Sequence, residues 1–165
     1  MLRTRLCRDL GIVLPIVSAP LGGGNAGPEL ASAVSNAGAL GLLGMGGVPE
    51  AVMREQIRET RARTANPFGV GLLIPFLGGG EIEACIEERV PVLLLFWGEC
   101  RAHVETARAA GIPVLVQVGS VDEAREAAAA GATTALAPAA AASLASSTEP
   151  TCTRTGIPAA LAVST

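Results

Sequence analysis

The chain contains no lysine and no tyrosine, and its 165 residues include one histidine, His103. All twelve of its basic residues are therefore arginine. Without lysine, Schiff-base chemistry is excluded, as is a phosphate loop of the lysine-bearing kind. Aromatics make up 2% of the chain, so the core is built from Ala, Val, Leu and Ile. Charge is sparse too: 16% of residues are charged, the net charge is -3, and the arginines form no basic cluster. Nucleic acid and anionic membrane surfaces are poor partners for such a chain. No apolar run is long enough to cross a bilayer. The cysteines, Cys7, Cys85, Cys100 and Cys152, lack CxxC spacing. They read as reduced thiols of a cytoplasmic protein, not as a disulfide framework or a metal site. Ligand chemistry is left to backbone groups, arginine, carboxylates or a bound cofactor.

Half of the residues are hydrophobic, enough for one domain with a substantial core. The stretch around which the chain is organised is IVSAPLGGG, Ile16 to Gly24. A short β-branched run reads as a buried parallel strand that stops at Pro20, because proline cannot extend a central strand. The glycines that follow leave bare backbone N–H groups at its carboxyl end, where α/β folds bind ligands. They do not form a dinucleotide-binding GxGxxG. Upstream, Arg3, Arg5 and Arg8 ahead of the apolar stretch from Leu10 to Leu21 imitate a secretory signal, but Asp9 and Pro15 interrupt it.

The remainder alternates strand and helix. Pro28 opens a helix with Leu30, Ala33, Val34 and Ala37 on one face, and GLLG, Gly41 to Gly44, is a second strand. A helix from Pro49 pairs Glu50 with Arg54 and Glu59 with Arg63. Strands follow at Phe68 to Leu73, Val92 to Phe96, Val114 to Val118 and Thr133 to Leu136. Between them lie helices from about Glu81 to Arg89, from about Cys100 to Ala110, and from a capping box at Ser120 and Glu123 to Gly131. This is an α/β chain of parallel (β/α) units, about five and a half of the eight in a TIM barrel of about 250 residues. The barrel portion spans residues 1–136, and 137–165 is an irregular Ala/Ser/Thr/Pro tail in which Ala139 to Ala145 fits a short helix. A premature end or a shifted reading frame in a longer gene accounts for such a tail.

APLGGG with the helix PELASAVSNAGALG, the GLLGMGG turn, RTANPFGVGLL and AAGIPVLVQVGSVDEAREAAAAGA together closely resemble the nitronate monooxygenases, formerly 2-nitropropane dioxygenases. The resemblance runs from about Leu14 to Ala132. These are FMN-dependent barrel enzymes related to a flavin-dependent enoyl-acyl-carrier-protein reductase. The resemblance implies oxidation of an alkyl nitronate by FMN, which dioxygen reoxidises. It places Ala19, Pro20, Leu21 and Gly22 along the flavin ring, with Leu21 where methionine is more usual. Gly71 stands where the family often has a flavin-binding asparagine, and Gln117 reaches toward the flavin's polar edge. The family's AGGH segment with its histidine base, and the phosphate-holding loops of its last two units, have no counterpart here.

No catalytic residue is assigned. His103 falls inside a helix beside Arg101 and Glu105 and does not match the family histidine. Trp97 sits at the ligand end of its strand, lining a pocket or packing at the rim. Glu87-Glu88 reads as a surface pair and Asp122-Glu123 as capping. Three functions compete: the flavin oxidoreductase with a nitronate-like small-molecule substrate; a non-catalytic fragment that self-associates through unpaired sheet edges; and a small doubly wound domain binding phosphate at helix N-termini. A reversing strand order identifies the third.

Overall fold

The computed structural model describes residues 4–22, 25–138 and 160–162. Five parallel strands alternate with helices in the order α1 (Arg5–Leu10), α2 (Pro28–Asn36), β1 (Gly41–Gly44), α3 (Glu50–Arg63), β2 (Phe68–Leu73), α4 (Glu81–Glu87), β3 (Val92–Phe96), α5 (Arg101–Ala109), β4 (Val114–Gln117), α6 (Val121–Ala130) and β5 (Thr134–Pro138). A short β6 (Ala160–Ala162) pairs parallel with β5. The sheet order is consecutive, β1-β2-β3-β4-β5-β6. A doubly wound sheet reverses its strand order, so that alternative is ruled out and the sheet is an incomplete TIM barrel. β5 runs to Pro138, past the expected limit at Leu136, and β6 lies within the stretch expected to be irregular. The helix anticipated at Ala139 to Ala145, and Cys152, fall outside the described residues.

Alternation along the strands sorts the core into two layers. Leu43, Val70, Leu93, Leu95, Val114 and Val116 face outward and pack under the helices with Met53, Ile57, Val104 and Ala127. Leu42, Val92, Leu94, Leu115 and Leu136 face inward and pack with Leu6, Cys7, Leu10 and Ile12. Burial on both faces is why β3 reads as an unbroken apolar run. The short α1 is therefore a plug beneath the barrel interior. Its start is capped by Thr4 Oγ1, which accepts from Cys7 N at 3.3 Å, and it ends at Gly11 in the left-handed region. Of the arginines that imitated a signal sequence, Arg5 and Arg8 lie on the exposed side of this plug, and Arg5 pairs with Asp9 at 3.3 Å; Arg3 falls outside the described residues.

Two expectations change. The first strand is reduced to a bridge, Val17 with Leu40, because only Ile16 O and Ser18 N bond to Leu40 (both 2.9 Å). The buried face of α2 is Ala31, Ser32 and Ser35, while Leu30, Ala33 and Ala37 are exposed. Packing distance decides this. A Cβ on Gly41 would lie 1.9 Å from Ala31 O, so α2 sits too close to β1 for a large side chain. Ser35 Oγ also accepts from Gly41 N at 3.2 Å.

Glu88 is likewise no simple surface residue. Its carboxylate accepts from Arg58 at 2.5 Å and lies 3.5 Å from Arg54, and Arg61 donates to its carbonyl oxygen at the end of α4. Arg54 also binds Glu50 at 2.8 Å and Glu87 at 2.7 Å, tying α3 to α4. Among the described residues no helix is long and apolar enough to cross a membrane, and no cluster of three or more His, Cys, Asp or Glu side chains is placed to hold a metal.

Candidate functional site

The carboxyl ends of the strands form the mouth of the partial barrel, and the segment from Ser18 to Gly22 crosses it. Ser18 Oγ accepts from Leu42 N at 2.9 Å, and Leu21 O accepts from Ala26 N at 3.1 Å. Ala26 O in turn accepts from Gly44 N at 3.0 Å, which pins the loop to the end of β1. Two glycines make the crossing possible. A Cβ on Gly44 would lie 2.3 Å from Leu21 O, and one on Gly71 would lie 2.4 Å from Pro20 Cβ. No real Cβ tolerates such contacts, so glycine at both positions lets the loop lie flat across β1 and β2.

The structure brings Pro20, Leu21 and Gly71 together. Gly71 is buried under Pro20, whereas Ala19 and Gly22 are exposed and Leu21 is 53% exposed. The space beside Gly22 is open to 4 Å. Gln117 is half-buried across the mouth. Register aligns Leu73, Phe96 and Gln117 in one inward row, one layer above the row that holds Gly71 and Leu94. The loop thus offers an apolar side chain and bare backbone on one side of the hollow, with an amide on the other. This set suits a planar, mixed-polarity ring.

Phosphate is less well served. Glu81 carboxylate accepts from Gly78 N (2.8 Å) and Gly79 N (2.9 Å), Glu99 from Arg101 N (2.9 Å) and Glu123 from Gly119 N (2.8 Å). At these three strand ends the N–H groups that an anion would use are bonded to the chain's own carboxylates. Partial burial alone would raise the Glu81 pKa, but the backbone donors outweigh it and hold that carboxyl below its usual range. The capping box is displaced by one residue, since Ser120 Oγ accepts from Glu123 N at 3.2 Å while Glu123 reaches Gly119 instead of Ser120.

A recess of about 510 Å³ opens between the ends of β3 and β4. Ile74, Phe96 and Trp97 line it with Gln117 and with Glu99, Glu123 and Glu126. Trp97 is 62% exposed and sits at φ 62°, a conformation rare for a bulky residue. Its ring meets Phe96 edge-on at 6.1 Å. The Cys100 thiol on the recess wall is pushed upward in pKa by burial and then by Glu99, so it stays neutral. His103 lies on α5, half-buried, and is not among the recess residues. Sequence reasoning singled out Trp97 and read Glu123 as a capping residue but did not single out Glu99 or Glu126, which strand register and helix starts bring beside them.

A family model described as nitronate monooxygenase matches residues 3–91, more than half of the chain. A nitronate monooxygenase of Paraburkholderia phytofirmans is 49% identical over 63 residues, covering 38% of this chain and 17% of the relative. Among solved structures, FabK from Thermotoga maritima superposes with a TM-score of 0.79 at 33% identity, covering 84% of this chain and 44% of that one. A nitroalkane oxidase from Streptomyces ansochromogenes superposes with a TM-score of 0.69 at 30% identity, covering 79% and 47%. The chain spans less than half the length of each of these proteins.

Proposed function

The chain belongs to the nitronate monooxygenase family, and from that premise we propose that it is the ring-binding portion of an FMN-dependent oxidoreductase, cytoplasmic and acting on alkyl nitronates with dioxygen. The observation that carries this reading is the loop from Ala19 to Gly22, laid over Gly44 and Gly71 with Leu21 exposed. In this reading Ala19, Leu21 and Gly22 lie along the flavin ring and Gln117 holds its polar edge. Pro20 and Gly71 act beneath, fixing the height of the loop. When bound, the flavin supplies the redox chemistry. The protein orients the ring and excludes water from the apolar face that Leu21 covers.

The phosphate end of FMN has to be held away from α4, α5 and α6, whose starts are closed by Glu81, Glu99 and Glu123. No described side chain stands out as a base within reach of a substrate proton. The chain by itself is therefore expected to bind FMN weakly and to show little or no turnover. The test is to purify it, add FMN, record the flavin spectrum and follow oxygen consumption with a nitronate. Weak uptake that Leu21→Asp abolishes is the expected result. Rapid oxygen consumption refutes the turnover expectation, and uptake indifferent to Leu21→Asp refutes the site.

A second, non-catalytic reading has its own support. Ile16 and Ser18 bond to Leu40, just ahead of β1, so strand alternation turns the backbone groups of Val17 toward the opposite edge, where no described strand pairs with it. Val13 and Ile16 are 50% and 54% exposed along that edge. An apolar, partly unpaired edge favours association with another chain.

A further inference from the structure

The described mouth suits the ring of a flavin better than it suits a phosphate. FMN and riboflavin share that ring and differ in one group, a phosphate monoester with a charge of about −1.5 to −2 at pH 7. Holding such a group takes N–H donors or cations. Five helices, α2 to α6, begin at the carboxyl ends of the strands, where such donors gather. At α4, α5 and α6 the donors are engaged: Glu81 takes Gly78 N and Gly79 N, Glu99 takes Arg101 N, and Glu123 takes Gly119 N. The two earlier helices start at proline, which has no N–H. Pro28 opens α2 and Pro49 precedes α3.

Charge points the same way. The first turns of α2, α3, α4 and α6 carry Glu29, Glu50, Glu81, Glu83, Asp122 and Glu123. The chain has no lysine to offset them. Arg101 is the sole arginine in these five first turns, and it pairs with Glu105 of its own helix at 3.9 Å. A phosphate brought to this rim meets like charge, whereas an uncharged flavin does not. The residues assigned to the ring, Leu21, Gly22 and Gln117, carry no charge at all. We propose that this chain selects a flavin by its ring alone, so that riboflavin binds more tightly than FMN. The inference rests on the ring-binding reading given above and adds to it that the phosphate opposes binding to this chain instead of anchoring the ligand.

Because the two ligands share a chromophore, flavin fluorescence compares them directly. The full chain would be titrated with riboflavin and with FMN at low ionic strength. The FMN midpoint is expected to lie about threefold or more above that of riboflavin, and added sodium chloride should bring it down, since salt screens repulsion. A phosphate held by donors behaves in the opposite sense, with FMN tighter and weakened by salt. The combined variant Glu81→Gln, Glu99→Gln and Glu123→Gln keeps an acceptor for each backbone N–H and removes the charge. Its ratio of FMN to riboflavin midpoints should fall toward one, with the riboflavin midpoint unchanged as the sign of an intact ring site. Should that variant lose riboflavin binding, the salt dependence of the unmodified chain decides. FMN binding as tightly as riboflavin at low salt, or a ratio unmoved in the variant, overturns the inference and leaves the ring site standing. If neither flavin binds, the ring site itself fails and this inference fails with it.

Discussion

At Gly71 the backbone is shaped by a neighbour distant in sequence. Pro20 occupies the volume that any side chain would need. Gly71→Ala should therefore cost about 1–3 kcal/mol through overpacking and lift the loop across the mouth. Urea unfolding measures the first effect, and flavin uptake the second. Cys85 offers a different single-residue test. It is fully buried, and burial pushes its thiol up to about 12. The folded state keeps the proton that the unfolded chain releases above about pH 9. Stability is thus unaffected below that pH and falls as pH rises from about 9 toward 12. Lysine and tyrosine, which normally titrate in that window, are absent, which makes the thiols the main contributors. Cys85→Ala should flatten the alkaline decline seen in thermal melts.

Among the elements, the junction of α3 with α4 carries the most charge. Hydrogen bonding from Arg58 is the main reason that the Glu88 carboxyl lies below its usual range; burial opposes it, and Arg54 adds to the lowering. A depressed carboxyl stabilises the folded state at neutral pH, and that contribution disappears as pH falls below about 4.5. Glu88→Gln should cost about 1 kcal/mol at pH 7 and flatten the dependence of the urea midpoint on acid pH. Most elements were legible in the sequence. β2 and β3 occur at the expected residues, Phe68–Leu73 and Val92–Phe96, because strands buried on both faces are continuous apolar runs between glycine and proline breaks. α1 was not legible, since six residues carry too little periodicity to distinguish a plug from an apolar leader. The buried face of α2 was misread because close approach to Gly41 favours Ala31 and Ser35 over the more hydrophobic Leu30.

For the whole molecule, the proposed association rests on the edge beside Val17, which no described strand covers. In a closed barrel a neighbouring strand and helix cover the first strand position. Here Ile16 and Val13 stay exposed beside it. Size exclusion over a range of protein concentrations should show association that Ile16→Asp reduces. A monomer at all concentrations would count against it. The interior is less exposed than five and a half units suggest, because Leu6 and Leu10 seal its lower end. Burying each of these side chains is worth about 1.5–3 kcal/mol.

The amino-acid order by itself determined the period of the fold: glycine and proline punctuation sets where strands stop, and continuous apolar runs set which strands lie inside. It also determined, through the missing lysine, that any phosphate would have to be held by backbone or arginine. What only tertiary structure decided is which groups meet. Pro20 rests on Gly71, Leu6 lies under the interior strands, and three glutamates share one recess with Trp97. Each of those encounters depends on strand register and on how closely elements approach. These are properties of distance between segments far apart in the chain, which local periodicity does not encode.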